Sequence, residues 1–119
     1  MLVSRLVFAL FLTSTATAGS AEPTAGSAQP LMAAEPDAAR QNELVRLVRQ
    51  DCGSCHGMTL QGGLGPALLP AALHDKPAEG LVATIYYGRP GTPMPPWKQF
   101  MSEAEAGWIV QKLMSGFPN

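Results

Sequence analysis

The sequence predicts an all-α domain of three to five short helices joined by glycine- and proline-rich loops. Two observations carry this. No stretch shows sustained apolar–polar alternation with β-branched enrichment, so strands lack their signature. Three separate segments do place apolar residues at helical spacing between recognisable start and stop signals.

The first of these is "DAARQNELVRLVRQDC", Asp37 to Cys52, where Leu44, Val45, Leu47, Val48 and Cys52 line one side while Arg40, Glu43, Arg46 and Arg49 face elsewhere. Asp37 is the expected N-cap and Gly53 the expected stop. From Gly57 to about Pro70, "GMTLQGGLGPALLP" holds three further glycines and two prolines, which forbids a long regular element and predicts an ordered loop.

"KPAEGLVATIYYG" returns to helical spacing, with Pro77 in the first turn, Leu81, Val82 and Ile85 inward, and Gly88 as the stop. "RPGTPMPPW" has four prolines in nine residues, each fixing φ and removing a donor, so it is a stiff irregular loop. In "SEAEAGWIVQKLMSGFP", Ser102 and Glu105 form a capping box, Trp108, Ile109, Val110 and Leu113 are the buried side, and Gly116 with Pro118 ends the helix.

Ahead of this domain the chain opens "MLVSRLVFALFLTSTATAGS", with Arg5, an apolar core from Leu6 to Leu12, and small residues at Ala16 and Ala18. That pattern predicts a secretory signal peptide over residues 1–18, cleaved after Ala18 or, as second choice, Ala21. Its apolar core is far shorter than the roughly 20 residues of a membrane-spanning helix, so no permanent anchor is expected. Residues 19–35 are rich in Ala, Pro, Gly and Ser and read as a flexible linker, which leaves residues 36–119 as one small domain. A core of that size is marginal on protein alone, and something else is expected to help hold it together.

Without Arg5 the chain carries seven basic and nine acidic residues, scattered along its length. No basic tract points to nucleic acid, and no acidic run forms a tail.

The chain has only two cysteines and two histidines, and three of these four residues fall in "CGSCHG". A zinc site would have to recruit His74 from a distant loop to approach four ligands. A redox dithiol would want a βαβ context that this chain does not offer. The third reading, Cys-x-x-Cys-His as a c-type haem attachment site, accounts for every residue: Cys52 and Cys55 as thioether anchors and His56 as the proximal iron ligand. It agrees with an exported chain, since this haem is attached outside the cytoplasm, and haem would complete a small core.

Met94 is the candidate sixth ligand, because "TPMPPW" presents it from a proline-stiffened loop that restrains an otherwise mobile side chain. His74 is the alternative. Met58, Met101 and Met114 are assigned to ordinary core packing. A metal-bound histidine usually donates its other N–H to an acceptor that orients the ring, and the Pro66 carbonyl is the candidate.

With these residues in view, "CGSCHG", "GLGPAL", "GRPGTPMPPW" and the closing Ser-capped helix resemble a small class I cytochrome c over residues 36–119. More narrowly, "DCGSCHGMTLQGGLGPALLP" with "IYYGRPGTPMPPW" is similar to the NirC-type cytochromes c of denitrification gene clusters and to the haem c domain of dissimilatory nitrite reductases. The haem d-one domain of the reductase is absent from this sequence.

The resemblance implies one covalent haem c, orthogonal packing of the first and last helices, and a periplasmic electron carrier with no catalytic residue, expected as a monomer. It implies a dissimilatory nitrite reductase as partner, served either in turnover or in maturation of its haem d-one. Two other classes stay open: a haem protein that binds small ligands, and an assembly module. Tyr86, Tyr87, Arg89 and Trp97 flank the methionine loop and are candidates to meet the haem propionates, Arg89 through a charge-assisted bond. Lys76 and Lys98 are candidates for a docking edge. Gly107, inside the last helix, is expected to mark a close helix crossing.

Overall fold

The computed structural model describes residues 35–118; the expected signal peptide and all of the expected linker except Glu35 lie outside the described residues. Among the described residues there is no strand, and the helices are α1 (Ala38–Leu47), α2 (Gly53–His56), α3 (Pro70–Leu73), α4 (Ala78–Tyr87) and α5 (Glu103–Ser115).

α1 starts where its cap predicts. Asp37 is extended, and its carboxylate accepts from the Arg40 N–H at 2.8 Å. The expected stop at Gly53 is corrected. The backbone runs on from α1 through a π-helical turn, Val48–Cys52, into α2, with Gly53 itself helical at φ −59° and buried. A glycine ends a helix by taking a positive φ, and Gly57, at φ 87°, does so here. The whole Cys-x-x-Cys-His motif therefore stays on one helical run. A π turn at this point fits the frequent occurrence of such turns beside functional sites.

α5 has its complete capping box: Glu105 N–H donates to Ser102 Oγ at 3.2 Å and Ser102 N–H to Glu105 Oε2 at 2.6 Å. Trp108, Ile109, Val110 and Leu113 are buried as expected. With Leu44, Val48, Leu60, Leu73, Met101 and Ala106 most of these form one core in which α1 and α5 meet. α4 lies along α5, but Leu81, Val82 and Ile85 are only half-buried, packing on the core's edge.

Several side chains depart from their expected roles. Arg40 does not face away: its Nε donates to Glu105 Oε1 at 2.5 Å and a terminal nitrogen donates to the Phe100 carbonyl at 2.7 Å, joining α1 to the start of α5. Arg49 likewise packs inward, donating to the Pro118 carbonyl at 2.6 Å with its guanidinium over the Phe117 ring. Met101 is buried and Met114 packs on the core, but Met58 is 63% exposed, because the turn at Gly57 swings it out of the helical run. Gly107 marks no close crossing: a β-carbon built there meets nothing within 4 Å, and the side-chain hydrogen bond that joins α1 to α5 is made by Arg40 and Glu105 instead. α3 was not anticipated within the loop reading, though Pro70 at its first position is a usable signal.

Candidate functional site

Cys52 and Cys55 lie three residues apart on the helical run, both half-buried and both free thiols. Burial, with the Asp51 carboxylate next in sequence, pushes the Cys52 thiol up to about 11, so it is neutral at physiological pH. The attacking thiol of a redox dithiol needs the opposite shift. Nor do any three His, Cys, Asp or Glu side chains gather as a metal-holding group among the described residues. His74 is exposed and engaged locally, with Nδ1 at 2.8 Å from the Ala71 carbonyl and Nε2 at 3.1 Å from the Asp75 carboxylate.

The imidazole of His56 is held quite differently. Its Nδ1 lies 2.6 Å from the Pro66 carbonyl oxygen. A carbonyl only accepts, so Nδ1 carries the proton and Nε2 is left with its lone pair as a potential iron ligand. The loop that brings Pro66 here is tied to the motif's own backbone: Gly62 N–H donates to the His56 carbonyl at 2.7 Å and Gly65 N–H to the Cys55 carbonyl at 2.8 Å. Gly65 is required by contact alone, because a β-carbon would stand 2.7 Å from Cε1 of the His56 ring and 2.8 Å from Nδ1.

The second arm of the site is the proline loop. Gly88 takes φ 71° and ends α4, and a β-carbon there would stand 2.6 Å from the Pro95 carbonyl carbon and Pro96 nitrogen. The loop thus doubles back on the helix that precedes it. Arg89 N–H donates to the Met94 carbonyl at 3.1 Å, and Met94 N–H donates to Thr92 Oγ1 at 3.3 Å. Trp97 N–H and Lys98 N–H, each at 3.2 Å, take the Ile85 and Tyr86 carbonyls that the end of α4 leaves unpaired. Met94, half-buried, is held at the apex of a clipped loop.

Tyr86 and Trp97 are half-buried beside this loop, Trp97 leaning on Phe100 with ring centroids 5.7 Å apart. The Arg89 side chain is exposed, with no hydrogen-bond or ion-pair partner among the described residues. Lys98 stands over the Tyr87 ring at 5.9 Å.

The donors fit haem c. Two thiols, an imidazole with one nitrogen committed and one available, and a thioether on a stiff loop are the donor types that covalent attachment and axial ligation of haem use. Comparison with known proteins agrees. Residues 39–111 match the family model described as cytochrome c oxidase, cbb3-type, subunit III. Cytochrome c55X of Pseudomonas aeruginosa is 62% identical over 81 residues, 68% of each chain.

The chain is a c-type cytochrome of the c55X family. The solved structure of the c-type cytochrome NirC is 60% identical, with a TM-score of 0.68, covering 69% of this chain and 96% of that one. Dihydro-heme d1 dehydrogenase NirN, solved in complex with DHE, is 35% identical with a TM-score of 0.56, over 62% of this chain but only 16% of that longer protein. As a member of this family the chain has the small class I cytochrome c fold, and the cofactor is covalent haem c. Cytochromes of this kind are electron carriers, not enzymes.

Residues that the sequence reading did not single out complete the site. Gly65 packs on the His56 ring and Thr92 Oγ1 accepts from Met94 N–H; Gly65 carried a sequence signal, as a glycine set directly before the proline whose carbonyl faces the histidine.

Proposed function

We propose that this cytochrome carries single electrons in the periplasm for the nitrite reductase system of denitrification. The observation that carries the reading is the His56 ring, fixed through Nδ1 on the Pro66 carbonyl at 2.6 Å within the same helical run that presents Cys52 and Cys55.

Cys52 and Cys55 would hold the haem covalently, and His56 and Met94 would ligate its iron. When bound, the haem supplies reversible one-electron ferric–ferrous chemistry. The chain's part is to orient and exclude. Pro66 holds the imidazole and raises its basicity, and the clips around Met94 keep a soft thioether in place, which favours the ferrous state. Arg89, Tyr86 and Trp97, beside the Met94 loop, would meet the propionates. The signal-peptide pattern read in residues 1–18 supports the compartment; among the described residues no helix is long and apolar enough to cross a membrane.

The likeness to the dehydrogenase that acts in haem d-one chemistry favours a second reading, in which the electrons serve maturation of the reductase cofactor rather than nitrite turnover. Stopped-flow mixing of the reduced, haem-loaded protein with purified nitrite reductase separates the two. Oxidation at rates matching turnover supports the carrier reading; slow oxidation by the mature enzyme, with fast exchange with the dehydrogenase, supports the maturation reading.

A further inference from the structure

Leu60 is the one residue between Gly57 and Ala67 whose side chain is buried, at 1% exposure, and it sits within the core shared by α1, α3 and α5. It is also the one described non-glycine residue with a positive φ, 60°. Residues with a β-carbon rarely adopt that region, and a branched, apolar one has no side-chain hydrogen bond to offset it. Such a conformation persists where the surroundings over-determine it, and at functional sites in particular.

The surroundings here are specific. Leu60 N–H donates to the Gly57 carbonyl at 2.8 Å, next to the motif, and the Leu60 carbonyl accepts from Leu68 N–H at 2.8 Å, just past Pro66. One residue therefore closes both ends of the loop that delivers the Pro66 carbonyl to His56. The loop's other members between these points are half-buried or exposed, including Leu64 at 94%.

We infer that Leu60 is a positioning residue for the proximal histidine: its buried side chain pins the loop so that the Pro66 carbonyl stays on His56 Nδ1. The inference rests on His56 being the iron ligand. A hydrogen bond from Nδ1 makes the imidazole more basic and stabilises ferric iron. Loosening the loop therefore raises the reduction potential and frees the ring proton to exchange.

The test compares haem-loaded Leu60→Ala with wild type, reading exchange of the His56 Nδ1 proton by NMR and the midpoint potential by spectroelectrochemistry. Leu60→Gly repeats it without a β-carbon at positive φ, in case the alanine variant folds poorly. Leu60→Met restores an apolar anchor. Leu44→Ala is the control, equally buried in the same core but with no part in the hydrogen bonds that close the loop.

Exchange faster by about tenfold with a higher potential in the Ala and Gly variants, both reversed in Leu60→Met, is the expected result. Leu44→Ala is expected to lower thermal stability without moving either reading. A ligated His56 ring unchanged in Leu60→Ala and Leu60→Gly, or moved equally by Leu44→Ala, overturns this inference alone. A wild-type spectrum without an iron-bound His56 ring overturns the ligand assignment, and this inference with it.

Discussion

Gly65 lies so close to the His56 imidazole that a β-carbon added to it would stand 2.7 Å from Cε1, 2.8 Å from Nδ1 and 3.1 Å from Nε2. The ring is thus confined between a backbone that leaves no room for a methyl group and a carbonyl that accepts its N–H. Gly65→Ala is expected to push the ring off Pro66, an overpacking penalty of about 1–3 kcal/mol. Holoprotein yield and the chemical denaturation midpoint should both fall. An unchanged midpoint with the Nδ1 hydrogen bond intact would show that the loop yields instead.

Met94 sits on a loop clipped at Arg89, Thr92, Trp97 and Lys98, so the backbone that presents its thioether is held by hydrogen bonds. Met94→Ala is expected to abolish the weak far-red band of methionine sulfur on ferric haem while leaving haem attached. The reduced variant is then expected to bind CO rapidly. Thr92→Val removes the hydroxyl that donates to the Arg89 carbonyl and accepts from Met94 N–H. It should weaken the same band without removing it, which spectra recorded through an alkaline titration would detect.

Arg40 and Glu105 tie α1 to α5 across 65 residues of sequence, with the Glu105 side chain only 18% exposed. The Arg40 hydrogen bond, ahead of the opposing effect of burial, lowers the Glu105 carboxyl below its ordinary value. A carboxylate depressed in the folded state stabilises the fold above its unfolded pKa, and that stability is lost as pH falls through the folded value. Below about pH 4 stability should therefore fall more steeply in wild type than in Arg40→Ala. At neutral pH that variant is expected to lose about 1–2 kcal/mol, a half-buried charge-assisted bond rather than an exposed pair. Thermal denaturation across a pH series checks both.

Gly107 stands inside α5 with open space where its β-carbon would be. Gly107→Ala is expected to stabilise the protein by about 0.5–1 kcal/mol through the backbone entropy of the unfolded chain. For a domain of this size that is a rise in melting temperature of about 2–8 °C. A fall would restore the close helix crossing that the structure argues against.

The parts legible in the sequence are those decided within one helical turn or one short motif. Asp37, the Ser102–Glu105 box, and the stops at Gly88 and Gly116 all act on backbone groups a few residues away, so spacing alone reveals them. The Cys-x-x-Cys-His motif that points to the cytochrome family is local in the same way. Gly53 misled because a glycine is a stop only when it takes a positive φ; packed at φ −59° against Val48 and Met58, it continues the helix. Arg40 and Arg49 misled because helical periodicity assigns a face but not what approaches that face. Their partners are near the far end of the chain.

Read alone, the sequence determined the helical class, the chemistry of the donors and the stiffness of the loops that carry them, because composition and local spacing act through covalent geometry and nearest-neighbour hydrogen bonds. Only the tertiary structure decided where the motif's helix ends, that Gly65 must lack a side chain, that Leu60 is buried at a positive φ within the histidine loop, and that Gly107 is unconstrained. Each of these depends on which atoms from distant positions occupy the same few ångströms, and that is a property of the packed chain rather than of any window along it.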